Sequence, residues 1–201
     1  MELKDLIKKL KKEIRSLVMF VLVGTGLGLV LYNIPAKYIS TGSFYIQRTT
    51  ENSSNYFTYE GYYGQQTALS YTNTVAALLE SVDLRTLALA KLNVPVNEVT
   101  LRKYQRFISV NKDGPQLISL TVKGNTHEES KGLWESLSSS LIDTTVDINK
   151  SGDANLSISK ITDEPVVKKE YKSIWINLSA GFGLGLIAGI LFISFKEYFK
   201  K

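Results

Sequence analysis

The sequence predicts a mixed α+β domain carried between two membrane-spanning helices. Residues 174–195, IWINLSAGFGLGLIAGILFISF, run for 22 residues without a charge, and residues 16–34, SLVMFVLVGTGLGLVLYNI, run for 19. At about 1.5 Å per residue these helices would be roughly 33 and 28 Å long, against a bilayer core of about 30 Å. The 139 residues between them alternate β-type and helical patterns, and that length is enough for one compact domain. There is no cysteine, so the domain must hold itself together by packing rather than by disulfides.

Residues 1–15, MELKDLIKKLKKEIR, place Leu3, Leu6, Ile7, Leu10 and Ile14 at three- and four-residue steps with lysines opposite. That spacing predicts a basic amphipathic helix resting on an anionic cytoplasmic leaflet. Residues 16–34 then form the first transmembrane helix. A cleaved signal peptide is the rival reading, but the apolar run exceeds the usual length of about 7–15 residues. The candidate small residue after it, Ala36, stands between Pro35 and Lys37.

Residues 35–173 form the domain. Tyr38 to Arg48 is rich in β-formers, with Tyr38, Phe44 and Ile46 on even positions, and predicts a strand. Residues 49–64 read as a polar, aromatic loop. From 65 to 92 the pattern turns helical, with Ala68, Thr72, Val75, Leu79 and Val82 on one stripe and a break near Ser81. Pro95 ends that region. Residues 107–111 and 117–123 predict a hairpin around Lys112-Asp113-Gly114-Pro115, in which Gly114 is free to take a positive φ. Alternation of Ile118, Leu120 and Val122 with polar residues implies a sheet with one dry face. Thr126 and Glu129 have capping-box spacing and open a long helix, with Leu133, Trp134, Leu137, Leu141, Thr145 and Ile148 inward. Ser151-Gly152-Asp153 closes it, and 156–161 supplies a last strand leading to Pro165. The order β-α(α)-β-β-α-β is that of a ferredoxin-like layer. Residues 174–195 are the second transmembrane helix and 196–201 a short tail.

Charge sets the expected topology. The net charge is +5, of which residues 1–15 carry +3 and 196–201 carry +2, leaving the segment between the spans neutral. Under the positive-inside rule both termini are cytoplasmic and the central domain is extracytoplasmic. Lys168, Lys169 and Lys172 stand on the far side of that rule. The basic excess is thereby assigned to the lipid bilayer and not to nucleic acid.

In the order and spacing of these segments the chain resembles the polysaccharide co-polymerase family, the Wzz-like chain-length determinants and their short relatives that act as adaptors of bacterial tyrosine kinases. The likeness runs from the basic tail and first span through AALLESVDLRTLALAKLNV and SVNKDGPQLISLTVKGNTHEES to the Gly-rich GFGLGLIAG of the second span. Two departures stand out. The family's run of prolines before the second span is reduced to Pro165, and the long helical arm of its large members is missing. No G-x-x-x-x-G-K-[ST] nucleotide loop occurs in these 201 residues. The resemblance implies a short, kinase-less, adaptor-like homo-oligomer. It also implies a regulator of surface polysaccharide biosynthesis and export, controlling chain length or serving a separate tyrosine kinase. The implied partners are a polysaccharide polymerase, the growing glycan and a cytoplasmic tyrosine kinase.

Read on their own, the residues offer no catalytic pair, cofactor-binding or metal-binding set. His127 is the single histidine, and neither Asp163-Glu164 nor Glu128-Glu129 has a spaced His or Ser companion. Gly24 and Gly28 in the first span, and Gly181, Gly185 and Gly189 in the second, are spaced by four. That spacing predicts close helix packing, within one chain or between protomers. Tyr56, Tyr59, Tyr62 and Tyr63, with Phe57 and Tyr71 nearby, offer glycan or protomer contact. The alternative function is a membrane-anchored sensor or structural protein whose outer domain binds an unrelated ligand.

Overall fold

A computed structural model describes residues 12–49 and 59–199. Most of the basic helix expected over 1–15, Lys200 and Lys201 lie outside these residues. The chain divides into two units, Met1–Ala36 with Tyr171–Lys201, and Lys37–Glu170.

The first unit is a pair of helices, α1 (Ile14–Asn33) and α6 (Ile174–Tyr198). Each contains a stretch long and apolar enough to cross a membrane, Ile14–Asn33 and Ile174–Lys196. Apolar side chains stand outward along both, among them Met19, Leu22, Val30, Leu184 and Phe195. Lys172 Nζ donates to the carbonyls of Leu31 and Ile34, so a cation meets the carbonyls that α1 leaves unpaired at its C-terminus. At the other end Lys196 Nζ lies 2.7 Å from a Glu13 carboxylate oxygen.

The second unit is an antiparallel sheet covered on one face by helices. β1 (Tyr38–Arg48) has the bounds its β-formers predict. α2 (Tyr59–Glu80) and α3 (Val82–Lys91) are separated at Ser81, whose Oγ caps α3 by accepting from the Leu84 N–H. α4 (Glu98–Gln105), β2 (Ile108–Gly114), β3 (Leu117–Gly124), α5 (His127–Ser151), β4 (Leu156–Lys160) and β5 (Val166–Lys169) complete it. The strand order is β2-β3-β1-β4, with β5 also on β1. Ser40, Gly42, Phe44 and Ile46 of β1 and Ile118, Leu120 and Val122 of β3 face the helices. The opposite face carries Thr41, Ser43, Gln47, Ser119 and Thr121, polar residues that alternate with those of the core face.

Trp134 of α5 sits at the centre of the core. Fully buried, it stacks on Phe44 with ring centroids 5.8 Å apart, and its Nε1–H donates to the Leu120 carbonyl at 3.1 Å. The indole lies directly over Gly42, where any Cβ would overlap it. Beyond it the stripe Leu133, Leu137, Leu141, Thr145, Asn149 advances by fours along α5 and is buried throughout. It ends on a polar residue with its own partners: Asn149 accepts from Tyr71 Oη at 2.9 Å and donates to the Leu156 carbonyl at 2.9 Å.

Several sequence expectations are corrected. The stretch 49–64 is not all loop, since α2 begins at Tyr59 and buries Gly64 and Ala68 one turn apart. Gly114 takes no positive φ. It is the last residue of β2, the turn is Pro115-Gln116, and Asp113 is the extra residue in a bulge between the pairs Lys112↔Ile118 and Gly114↔Leu117. Ile148 is exposed, because Asn149 takes the inward position of the last turn. The reciprocal capping box is absent: Thr126 Oγ1 accepts from the Glu129 N–H, while the Glu129 carboxylate accepts from Asn125. The strand expected over 156–161 is present as Leu156–Lys160, with the Ile161 N–H still donating to Ser43 O. The chain then leaves the edge over residues 161–164 and re-pairs after Pro165 as β5, a strand the sequence reading did not include, with Val166 opposite Thr41.

Candidate functional site

The helix pair answers a question the glycine spacing leaves open. Gly24, Gly28, Gly181, Gly185 and Gly189 all lie on the α1–α6 contact within one chain. A methyl group added at Gly24 would overlap the Gly181 carbonyl oxygen and lie 2.8 Å from the Gly185 Cα. One at Gly28 would overlap the Asn177 carbonyl, and one at Gly185 would come within 2.6 Å of the Phe20 carbonyl oxygen. Gly189 packs against Leu17, and Phe20 and Phe192 meet with ring centroids 5.0 Å apart. Backbone thus touches backbone over about two turns, which only residues without a side chain allow. Gly26 and Gly183 face open space instead.

The tyrosines divide. Tyr56 lies outside the described residues, and Tyr59 is the first residue of α2. Tyr62 and Tyr63 are exposed on α2, with rings edge to face at 5.9 Å. Tyr71 belongs to the core, where burial pushes its pKa up and its hydroxyl is held by Asn149. His127 is half exposed, edge-on to Tyr38 at 6.2 Å. Among the described residues no group of three or more His, Asp or Glu could hold a metal ion.

A concave site that the sequence reading missed opens at the end of the sheet where the unit's chain begins and ends. It has a volume of about 620 Å³ and is lined by Lys37, Val99, Arg102, Lys103, Arg106, Phe107, Lys123 and Glu170. The register explains the convergence: Tyr38 pairs with Gly124 and with Lys169, so the start of β1, the end of β3 and the end of β5 coincide. Helix α4 supplies the rest. Asn97 caps it in a capping box with Thr100, and Val99, Arg102, Lys103 and Arg106 then recur at helical spacing on one side. Tyr104, one residue round, points into the core. Burial first, and the Glu129 carboxylate second, push its hydroxyl pKa up.

Three of the five cations have carboxylate neighbours. Arg102 pairs with Glu98 at 2.6 Å, Lys103 with Glu129 at 3.8 Å and Lys123 with Glu170 at 3.6 Å. Lys37 and Arg106 make no ion pair among the described residues. Lys37 Nζ rests instead over the Phe107 ring, 4.1 Å from its centroid. The signal that could have revealed this site is the V-x-x-R-K-x-x-R stripe that follows the Asn97 cap.

Comparison with known proteins adds no family: no family model matches the sequence, and no curated protein matches it.

Proposed function

We propose that this chain is a non-enzymatic, two-span membrane regulator of surface polysaccharide biosynthesis and export. It acts on chain length or as an adaptor for a separate tyrosine kinase. The observation that carries the reading is the order of elements around the sheet. An apolar helix leads into β1, the β2-β3-β1-β4 sheet is built with helices on one face, and the chain returns into a second apolar helix. In that order the layer is ferredoxin-like, with α3, α4 and β5 added. The resemblance to the chain-length determinants stands on the same order and spacing.

Membrane insertion is supported by the two apolar helices and by their outward Met, Leu, Val and Phe side chains, a surface that water would penalise. The charge excess on the two tails orients both termini to the cytoplasm and the sheet unit to the outside. Because the glycines are used within one chain, a homo-oligomer would be assembled through other surfaces, Tyr62 and Tyr63 among them. In this reading the outer unit is a platform near the polymerase and the emerging glycan. The tightly packed helix pair passes its state to the tails, where a kinase would dock.

Deleting the gene in a strain that makes a surface polymer, then sizing that polymer on a gel, tests the proposal. A shifted length distribution or a reduced amount is expected, restored by the gene in trans. Unchanged amount and length would refute it.

A further inference from the structure

We propose that the basic groove at the chain-end edge of the sheet binds the phosphate headgroup of an anionic lipid in the adjacent leaflet. The proposal rests on the membrane reading above, and its first support is charge. Five cations and one carboxylate line the groove. Counting Glu98 and Glu129 just outside it, the site still keeps an excess of two, the charges of Lys37 and Arg106.

Geometry is the second support. The Phe107 ring holds the Lys37 ammonium at the groove wall without neutralising it, since an aromatic face attracts a cation but contributes no net charge. Arg106 brings a planar guanidinium, whose paired N–H groups match two phosphate oxygens. The remaining lysines can add point charges by exchanging their long, exposed pairings for the phosphate, as Lys123 and Lys103 sit 3.6 and 3.8 Å from their carboxylates. The volume, about 620 Å³, suits a glycerophosphate headgroup rather than a bare ion.

Covalent reach is the third. Lys37 is four residues beyond Asn33, the last residue of α1, and Glu170 is four residues before Ile174, the first of α6. A chain spans at most about 3.6 Å per residue, so both groove residues stay within roughly 14 Å of a helix end. Each headgroup layer is about 5–8 Å deep, so this reach keeps both residues at that layer or just beyond it. Val99, 77% exposed at the rim of the groove, adds an apolar contact suited to the same layer.

The test uses the full chain in detergent micelles doped equally with phosphatidylglycerol and phosphatidylcholine, with retained lipid counted by native mass spectrometry. Phosphatidylglycerol should be retained selectively. The double variant Lys37→Ala/Arg106→Ala should weaken that retention roughly thirty-fold, two cations at about 1 kcal/mol each. Lys150→Ala/Lys160→Ala, exposed lysines elsewhere on the unit, should leave it unchanged. Should the first double variant melt early, Arg106→Lys keeps the charge and loses the paired donors. It should weaken retention at an unchanged melting temperature. Equal retention by the wild type and the groove variants overturns the proposal. So does displacement by inorganic phosphate as readily as by competing lipid, which would mark a free-anion site, or retention of an acidic protein in preference to lipid. A carbonate wash separates the two levels. A protein released from membranes by carbonate refutes the membrane reading, whereas one that stays embedded without lipid preference refutes only the headgroup site.

Discussion

Gly42→Ala places one methyl group where the structure has no room for it. The new carbon would overlap Trp134 Cζ2 and lie 2.9 Å from Cε2 and 3.1 Å from Cη2, against an ordinary carbon separation of about 3.5–4.0 Å. The ring must therefore retreat by about 1 Å. It cannot do so freely, because it is fully buried, stacked on Phe44 and tied by Nε1–H to the Leu120 carbonyl. Overpacking a filled core costs about 1–3 kcal/mol, and stretching the indole hydrogen bond adds about 1 kcal/mol. For a unit of this size, about 2–4 kcal/mol corresponds to a melting shift of roughly 7–14 °C. The assay is thermal unfolding followed by circular dichroism, a readout that does not depend on Trp134 and so serves every variant alike. Combining Gly42→Ala with Trp134→Phe should cost at least about 1 kcal/mol less than the sum of the single losses, since the smaller ring vacates the contested space. A melting point within about 2 °C of wild type, or strictly additive losses, would refute the packing argument.

Other perturbations follow from the same contacts. Phe20→Cys with Phe192→Cys, in a chain with no native cysteine, should cross-link within one chain on oxidation. Adding Gly185→Leu should abolish the link; a dimer band instead would contradict intramolecular glycine packing. Tyr71→Phe leaves the Asn149 side-chain Oδ1 without its buried donor and should cost about 1–2 kcal/mol in thermal unfolding. Ser138→Ala removes a buried hydroxyl that has no hydrogen-bond partner among the described residues, and should be neutral or stabilising in the same assay. Arg48 Nε, donating to Asp153 at 2.6 Å, holds the Asp153 carboxyl below the usual carboxylate range. That stability is present above the unfolded value near 3.9 and is lost as pH falls through the lower native value. For a partly exposed pair it is at most about 1 kcal/mol, and Asp153→Asn should flatten the melting curve's pH dependence there.

Legibility followed the kind of signal each element carries. β1 was readable to its ends because alternation is its dominant pattern, and the Ser81 break because a cap residue interrupts an apolar stripe. Helix α4 escaped because its stripe is basic: only Tyr104 is buried from it, so no apolar periodicity marks it. The groove went unread with it, since Lys37 and Lys123 are brought together only by the strand register and Arg106 joins them from the end of α4. The start of α2 was hidden by Gly61 and Gly64, poor helix formers that are tolerated where Gly64 docks against the core. β5 went unread because Val166–Lys169 is only four residues long and follows Pro165, which reads equally well as a strand's end. Glycine spacing marked the faces of α1 and α6 that pack closely. Whether the partner was the same chain depended on their pairing, which spacing does not encode.

Both the polysaccharide reading and the headgroup site depend on the chain crossing the membrane twice with the sheet unit outside. Single cysteines placed at Ser53 and at Lys200 in the cysteine-free chain measure this directly, by labelling intact cells with an impermeant maleimide. Labelling at residue 53, with residue 200 labelled only after the cells are opened, is the expected result. Labelling at residue 200 in intact cells with residue 53 protected would contradict the account.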